Sequence, residues 1–374
     1  MGDDHPVRVS LDASAIPDPA GGAGRYVLAL AAALAGRDDV DLTVVSRTDD
    51  AGRWPSPVAA RAPSRRPVRL AWEQAALPAI VRNLGVDVHH APHYTMPLVS
   101  PCPVVVTVHD LSFFTHPEWH ERTKVAFFRS AIRTSARRAA ALIAVSQATA
   151  TRLAELVAPR VPVHVVPHGV DHARFRPAGP ADHDADAAVL ARLGLRPPYL
   201  AFLGTLEPRK DVPTLVRAFD LVAARVPELT LVLAGAPGWG AGAIEAAISA
   251  AAHRARIRRP GYVAEADIPA LLRGAAAVTY PSLEEGFGLP VLEALACGAP
   301  VVTTSGTVME EVAAGAAVLA RPGDPASLAR AIEEAVAADP GERRARGLAV
   351  AAGHTWAASA AAHAGVYREV AARR

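Results

Sequence analysis

Short, almost uninterrupted apolar runs alternate with longer Ala/Leu-rich stretches of helical period along the chain. In the first half the runs predict strands at Val7–Leu11, Asp41–Ser46, Val86–His90, Val104–His109, Ala141–Ser146 and Val163–Pro167. Between them lie helical patterns at Gly24–Ala35, Ala71–Leu84, Thr123–Ala140 and Ala148–Val157. Strands that are apolar at nearly every position suit a parallel sheet covered on both faces. The rhythm breaks over 171–198, a stretch rich in Pro, Gly, Asp and Ala that predicts a linker or domain boundary. It then restarts, with strands predicted at Tyr199–Gly204, Thr230–Ala234, Ile257–Val263, Ala277–Tyr280, Pro300–Thr304 and Ala317–Ala320. Helical runs follow at Val212–Arg225, Ala243–Arg256, Ile268–Gly274, Pro290–Cys297 and Pro325–Ala338, and the end of the chain from about Glu342 is helical, with Trp356 and Tyr367 as apolar anchors. This alternation implies an α/β protein of two doubly wound parallel-sheet halves, residues 1–170 and 199–355, with ligands at the carboxyl ends of the strands.

Composition narrows the picture. Of 374 residues, 51% are apolar and 20% charged, which excludes a disordered chain. A net charge of +2 gives no argument for nucleic acid. Cys102 and Cys297 show no ligand spacing, so neither a zinc site nor a disulfide framework is expected. The acidic start, Met1 to Pro6, runs into a strand without the basic and apolar regions of a signal peptide, and no long unbroken apolar stretch predicts a membrane span. A cytoplasmic protein is expected. Only two lysines occur, Lys124 and Lys210, among many arginines, and Asn83 is the sole asparagine. Under such a base-composition bias, a surviving lysine is one that is needed as lysine.

Three segments offer chemistry. The loop Pro281–Gly288 follows a strand and opens a helix; Gly286 and Gly288 let backbone approach a ligand, and Pro290 suits a first helical turn. Glu285 lies in the loop and Glu293 about one turn into the helix, so both can accept hydrogen bonds from vicinal hydroxyls. The same spacing also fits a plain βα turn with Glu293 solvated. In Gly204-Thr205-Leu206-Glu207-Pro208-Arg209-Lys210-Asp211, two adjacent cations at a strand end suit a pyrophosphate, though a solvated turn reads alike. Gly21-Gly22-Ala23-Gly24 is a further Gly-rich βα loop, and His109 closes an apolar strand at the end where a crevice forms. Ser146 reads as a helix cap, since the glycines of a nucleophile elbow are missing around it.

The string from Glu285 through Gly286-Phe287-Gly288-Leu289-Pro290 to Glu293-Ala294 and on to Cys297-Gly298 resembles the Glu-(seven residues)-Glu motif of the family 4 retaining glycosyltransferases, which have the GT-B fold. That resemblance implies two Rossmann-like domains facing across a cleft, with residues 1–170 on the acceptor side, 199–355 on the donor side, and 356–374 forming a helix that crosses back to the first domain. It implies that Glu285 contacts the transferred sugar, that Glu293 binds the nucleotide ribose, and that Lys210 and Arg209 neutralise the donor diphosphate. The backbone around Gly22, Gly204, Gly286, Phe287, Gly288 and Leu289 would complete the donor site, with His109 beside the sugar. Thr205 stands where many relatives carry arginine, and Arg209 would substitute for that residue.

The implied reaction is transfer of a hexose from a nucleoside-diphosphate sugar to an acceptor hydroxyl with retention of configuration and no covalent carboxylate nucleophile. The Glu-Pro-Arg-Lys variant points first to GDP-mannose and second to a UDP sugar. No cofactor and no metal is implied. The acceptor is a carbohydrate, a lipid-linked or a small-molecule hydroxyl, which allows peripheral membrane contact. A sugar-nucleotide epimerase of the same fold and a catalytically silent nucleotide-sugar-binding protein are the alternatives. A phosphorylase would need a second dedicated lysine for pyridoxal phosphate.

Overall fold

The computed structural model describes residues 5–16, 21–47, 50, 52–337 and 341–373. They divide into two compact units, Met1–Gly169 together with Trp356–Arg374, and Val170–Thr355. Among the described residues no helix is long and apolar enough to cross a membrane.

The first unit is built on a seven-stranded sheet of β1 (Val7–Asp12), β2 (Val40–Arg47), β3 (Val58–Ala62), β4 (Val88–Ala91), β5 (Val104–Val108), β6 (Ala141–Ala144) and β7 (Val163–Val165), in the order β3-β2-β1-β4-β5-β6-β7. Every pairing is parallel. The strand order reverses between β1 and β4, so the crevice of a doubly wound sheet opens at their carboxyl ends. Helix Gly22–Ala35 covers one face by burying Tyr26, Val27, Leu30, Ala31 and Leu34, a stripe of helical period. Ser146 caps helix Gln147–Val157, its Oγ accepting the Thr149 N–H at 3.0 Å.

The last helix, Trp356–Ala372, belongs to this first core through Ala360, Ala364, Tyr367 and Val370. A buried chain of hydrogen bonds fastens it, and the proton directions follow from one carbonyl. His363 Nδ1 donates to Ser359 O (2.8 Å), so its Nε2 accepts from Tyr26 OH (2.8 Å). The Tyr26 oxygen then accepts from Thr107 Oγ1 (3.1 Å), which accepts from His90 Nε2 (2.8 Å). His90 Nδ1 finally accepts from Tyr367 OH (2.7 Å). Each neutral group donates once, so the order is self-consistent.

The second unit carries β8 (Tyr199–Leu203), β9 (Thr230–Ala234), β10 (Ile257–Gly261), β11 (Ala277–Tyr280), β12 (Val301–Thr304) and β13 (Val318–Ala320), in the order β10-β9-β8-β11-β12-β13, again all parallel. Here the order reverses between β8 and β11. The stretch predicted as a linker is not a spacer: it holds helix His183–Arg192, which buries Leu190. Its acidic residues are engaged, Asp182 with Arg176 at 2.7 Å and Asp186 with Arg273. Asp184 and Asp186 in the first turn favour the helix through its dipole. The predicted helix Ala71–Leu84 is two, Arg66–Ala75 and Leu77–Leu84, because Pro78 cannot continue the first.

Candidate active site

The candidate residues of the second unit gather where its strand order reverses. Lys210 and Arg209 lie in the 3-10 turn after β8, and Glu285 lies in the loop after β11. The neighbouring strands bring these loops together, and Leu283 N–H donates to Arg209 O at 2.8 Å to tie them. Lys210 Nζ donates to Glu285 Oε1 and to Tyr280 OH, and sits 4.6 Å from the Tyr280 ring centre. Arg209 Nη1 pairs with the other oxygen of Glu285, and its Nε with Glu207 at 2.5 Å. Tyr280 OH donates to Glu285 Oε1 at 3.2 Å. One carboxylate is thus held by two cations and a phenol. Asp211, left-handed at φ 48°, turns the chain directly after Lys210 into helix Val212–Ala223.

This grouping sets the charges. Burial alone would raise the Glu285 carboxyl, but Arg209 and then Lys210 more than offset it and hold it at about 2. Burial and the neighbouring Arg209 pull the Lys210 ammonium down to about 8, with Glu285 opposing them. Lys210 is only 5% exposed, so burial dominates. Burial opposes the charge of Arg209, but Glu285 and then Glu207 keep it well above its ordinary value. At neutral pH all three groups are charged, and the cations are already occupied by a carboxylate of the protein.

The rest of the loop follows from backbone demands. Gly288 caps helix Leu289–Ala296 at φ 98°, and a Cβ there would come 3.2 Å from Met309 Cγ, so the position requires glycine. Phe287 and Leu289 are buried, as is Glu293 in the second turn of the helix. Gly204, at φ 153° after β8, lies against Gly235, where a Cβ would meet Gly204 O at 1.9 Å. A recess of about 800 Å3 lies at the other end of helix Leu289–Ala296, lined by Leu190, Arg273, Cys297 and Arg344. It holds none of the candidate residues.

In the first unit, Gly22 opens helix Gly22–Ala35, and a Cβ there would meet nothing within 4 Å. Packing therefore does not demand that glycine. His109 follows β5 and is buried, with Nε2 donating to Pro92 O at 2.8 Å. Its ring meets Tyr26 and Tyr94 edge-on, at 5.2 and 5.8 Å. Burial lowers its pKa, so the ring is neutral and Nδ1 is left as an acceptor.

Two family models match the chain, one described as Glycosyltransferase Family 4 over residues 20–174 and one as Glycosyl transferases group 1 over 197–338. The O-antigen chain mannosyltransferase B of Escherichia coli is 30% identical over 297 residues, covering 78% of this chain and 74% of that one. The chain belongs to the family 4 glycosyltransferases. These are retaining enzymes that take a sugar from a nucleotide-sugar donor. A D-inositol 3-phosphate glycosyltransferase of Salinispora arenicola is 41% identical over 155 residues, 38% of this chain and 34% of that one. The sucrose-phosphate synthase structure from Thermosynechococcus elongatus superposes with a TM-score of 0.78 at 21% identity, over 98% of this chain and all of that one. This likeness gives the glycosyltransferase the GT-B fold of two parallel-sheet α/β domains.

A second polar cluster, which no sequence motif marks, lies at the carboxyl ends of β1 and β4. Arg69 and Glu73 lie one turn apart on helix Arg66–Ala75, and Arg69 Nη1 donates to Glu73 Oε2 at 3.2 Å and to Ser14 Oγ at 3.4 Å. Thr95 Oγ1 donates to Glu73 Oε2 at 2.9 Å, and Gln74 Nε2 to its Oε1 at 3.1 Å. Burial, then the neighbouring Asp12, pushes the Glu73 carboxyl up to about 7. In the sequence, an Arg and a Glu at this spacing look like an ordinary solvated helix pair. Here Glu73 is 1% exposed.

Proposed function

We propose that this glycosyltransferase transfers a hexose, with mannose first, from a nucleoside-diphosphate sugar to an acceptor hydroxyl. GDP-mannose is the first donor, supported by the likeness to an O-antigen chain mannosyltransferase, and a UDP sugar the second. The observation that carries the reading is the group of Lys210, Arg209 and Glu285 where the second sheet reverses. The donor diphosphate takes the two cations from Glu285. Lys210 and Arg209 then stabilise charge that develops as the nucleotide leaves, an interaction type worth about 2.7–4 kcal/mol per donor. Glu285, released from them, accepts hydrogen bonds from the transferred sugar. The amides of Gly286 to Leu289, at the positive end of helix Leu289–Ala296, and those near Gly204 meet the phosphates. Glu293 holds the ribose hydroxyls, and His109 Nδ1 accepts from a sugar hydroxyl. The acceptor hydroxyl attacks from the face the nucleotide leaves, and the departing phosphate takes its proton. No carboxylate serves as a covalent nucleophile.

A thermal-shift screen of GDP, UDP, ADP and their sugars tests the reading, because a ligand at 100 times its Kd raises stability by about 2.7 kcal/mol. The expected result is a rise with GDP and GDP-mannose that Lys210→Ala removes. A screen in which no nucleotide raises the midpoint would overturn it.

A further inference from the structure

Resting on the donor site proposed above, we propose that Arg69 and His93, next to His109, form the acceptor subsite, and that it takes an uncharged sugar with adjacent free hydroxyls rather than a phosphorylated one. The residues stand where the first sheet reverses. Arg69 reaches the carboxyl end of β1 through Ser14, while His93 and Thr95 follow β4. His93 lies between the cluster and the sugar-side histidine. Its ring centre is 5.9 Å from that of His109, and Arg69 is near enough to help lower its pKa.

Two groups here have hydrogen-bonding capacity to spare. His93 Nε2 is buried with no partner among the described residues. Arg69 is 9% exposed, yet both side-chain hydrogen bonds it makes among those residues leave from Nη1. Its Nε–H and Nη2–H edge remains, two parallel donors matched to a pair of neighbouring oxygens. Neither nitrogen of that edge is fully buried, so the edge is open to a ligand, and the buried His93 Nε2 is the atom whose desolvation a ligand hydroxyl would offset.

The charge balance selects between hydroxyls and phosphate. Arg69 is the one cation of the subsite. Glu73 is in contact with it, and Asp12 is near enough to push Glu73 upward. Burial lowers His93 to about 3 and His109 below its ordinary value, so both rings are neutral and act as hydroxyl partners. A phosphate entering this group would meet one offset guanidinium and two carboxyl side chains, with no surplus positive charge to replace its hydration. A vicinal diol meets the guanidinium edge, and a remaining hydroxyl meets His93 Nε2.

The test is a saturation-transfer NMR titration of the full chain with methyl α-mannoside, methyl α-glucoside, methyl α-galactoside and the 6-phosphate of each. GDP and UDP are titrated separately by calorimetry. The expected result is that at least one neutral glycoside binds more tightly than its phosphate. Arg69→Lys, which keeps the charge but loses the two-donor edge, should weaken that binding at least tenfold without changing the nucleotide Kd. Phosphates that bind tighter than their neutral partners, no glycoside binding at all, or Arg69→Lys binding as the wild type would each overturn the proposal. The wild-type comparison needs no variant, so a poorly folded Arg69→Lys leaves it decisive. Missing nucleotide binding would count against the donor site alone.

Discussion

Glu285→Gln should abolish transfer and, at the same time, tighten the binding of a nucleoside diphosphate. In the wild type the diphosphate competes with a carboxylate that already bonds Lys210 Nζ and Arg209 Nη1. The amide keeps the shape and one acceptor oxygen but removes the charge. Hydrogen bonds to charged groups are worth about 1.5–3 kcal/mol. If the gain from releasing two is partly cancelled by the charge cost in the free variant, a net of about 1.5–3 kcal/mol remains. That corresponds to roughly a 10- to 150-fold lower Kd. The measurement belongs at pH 6.5, because loss of Glu285 removes the interaction that raises Lys210, which already sits at about 8. Calorimetric titration with GDP and UDP reads the Kd, and turnover of the sugar nucleotide should fall by about 100-fold or more. A folded Glu285→Gln that binds both nucleotides no tighter than the wild type would refute the idea that Glu285 occupies the cation site before the donor does.

Lys210→Ala should lose far more activity than Lys124→Ala, since Lys124 is a half-exposed partner of Glu121 at 3.0 Å; Lys210→Arg should also fail, because the ammonium is packed on the Tyr280 ring, and wild-type turnover of Lys210→Arg would contradict this. Acid should destabilise the first unit. Burial holds His93 at about 3 and His363 at about 4, so the unfolded chain binds more protons between pH 6.5 and these values and stability falls as pH drops. From pH 7 to pH 5 the two together remove on the order of 4 kcal/mol, of which Glu73, raised to about 7, returns on the order of 2, and denaturant midpoints that do not move over that range would oppose the account. Tyr367→Phe strands His90 Nδ1 and should cost about 1–3 kcal/mol by urea unfolding; an unchanged midpoint would show that the chain of hydrogen bonds does not hold the last helix. Activity should survive excess chelator, as Lys210 and Arg209 supply the positive charge, and recovery only on adding magnesium or manganese would contradict that.

The strands were legible because buried parallel strands are apolar throughout: Thr230–Ala234 and Ala277–Tyr280 begin and end where the apolar runs do. The edge strand Val58–Ala62 escaped notice, being short, carrying Arg61 and lying among prolines. Helix His183–Arg192 was hidden by Pro, Gly and Asp in the same stretch, although Asp at a helix start is a stabilising residue. Helix Val308–Ala313 was too short to show a period. In the site, Glu285 and Lys210 could each be picked out from their own segment. Their ion pair could not, because it spans 75 positions and depends on β8 lying beside β11. Arg69 and Glu73 were missed for a different reason: burial, which turns a solvated pair into a site, leaves no mark on an i,i+4 spacing.

The most direct test of the account is the anomeric configuration of the sugar transferred by the purified chain, read by proton NMR with GDP-mannose or a UDP sugar as donor and the methyl glycosides as acceptors. The account predicts a glycoside that keeps the anomeric configuration of the donor, formed by the wild type and not by Glu285→Gln. An inverted product, or no turnover of any of these sugar nucleotides by folded wild-type protein, would contradict it.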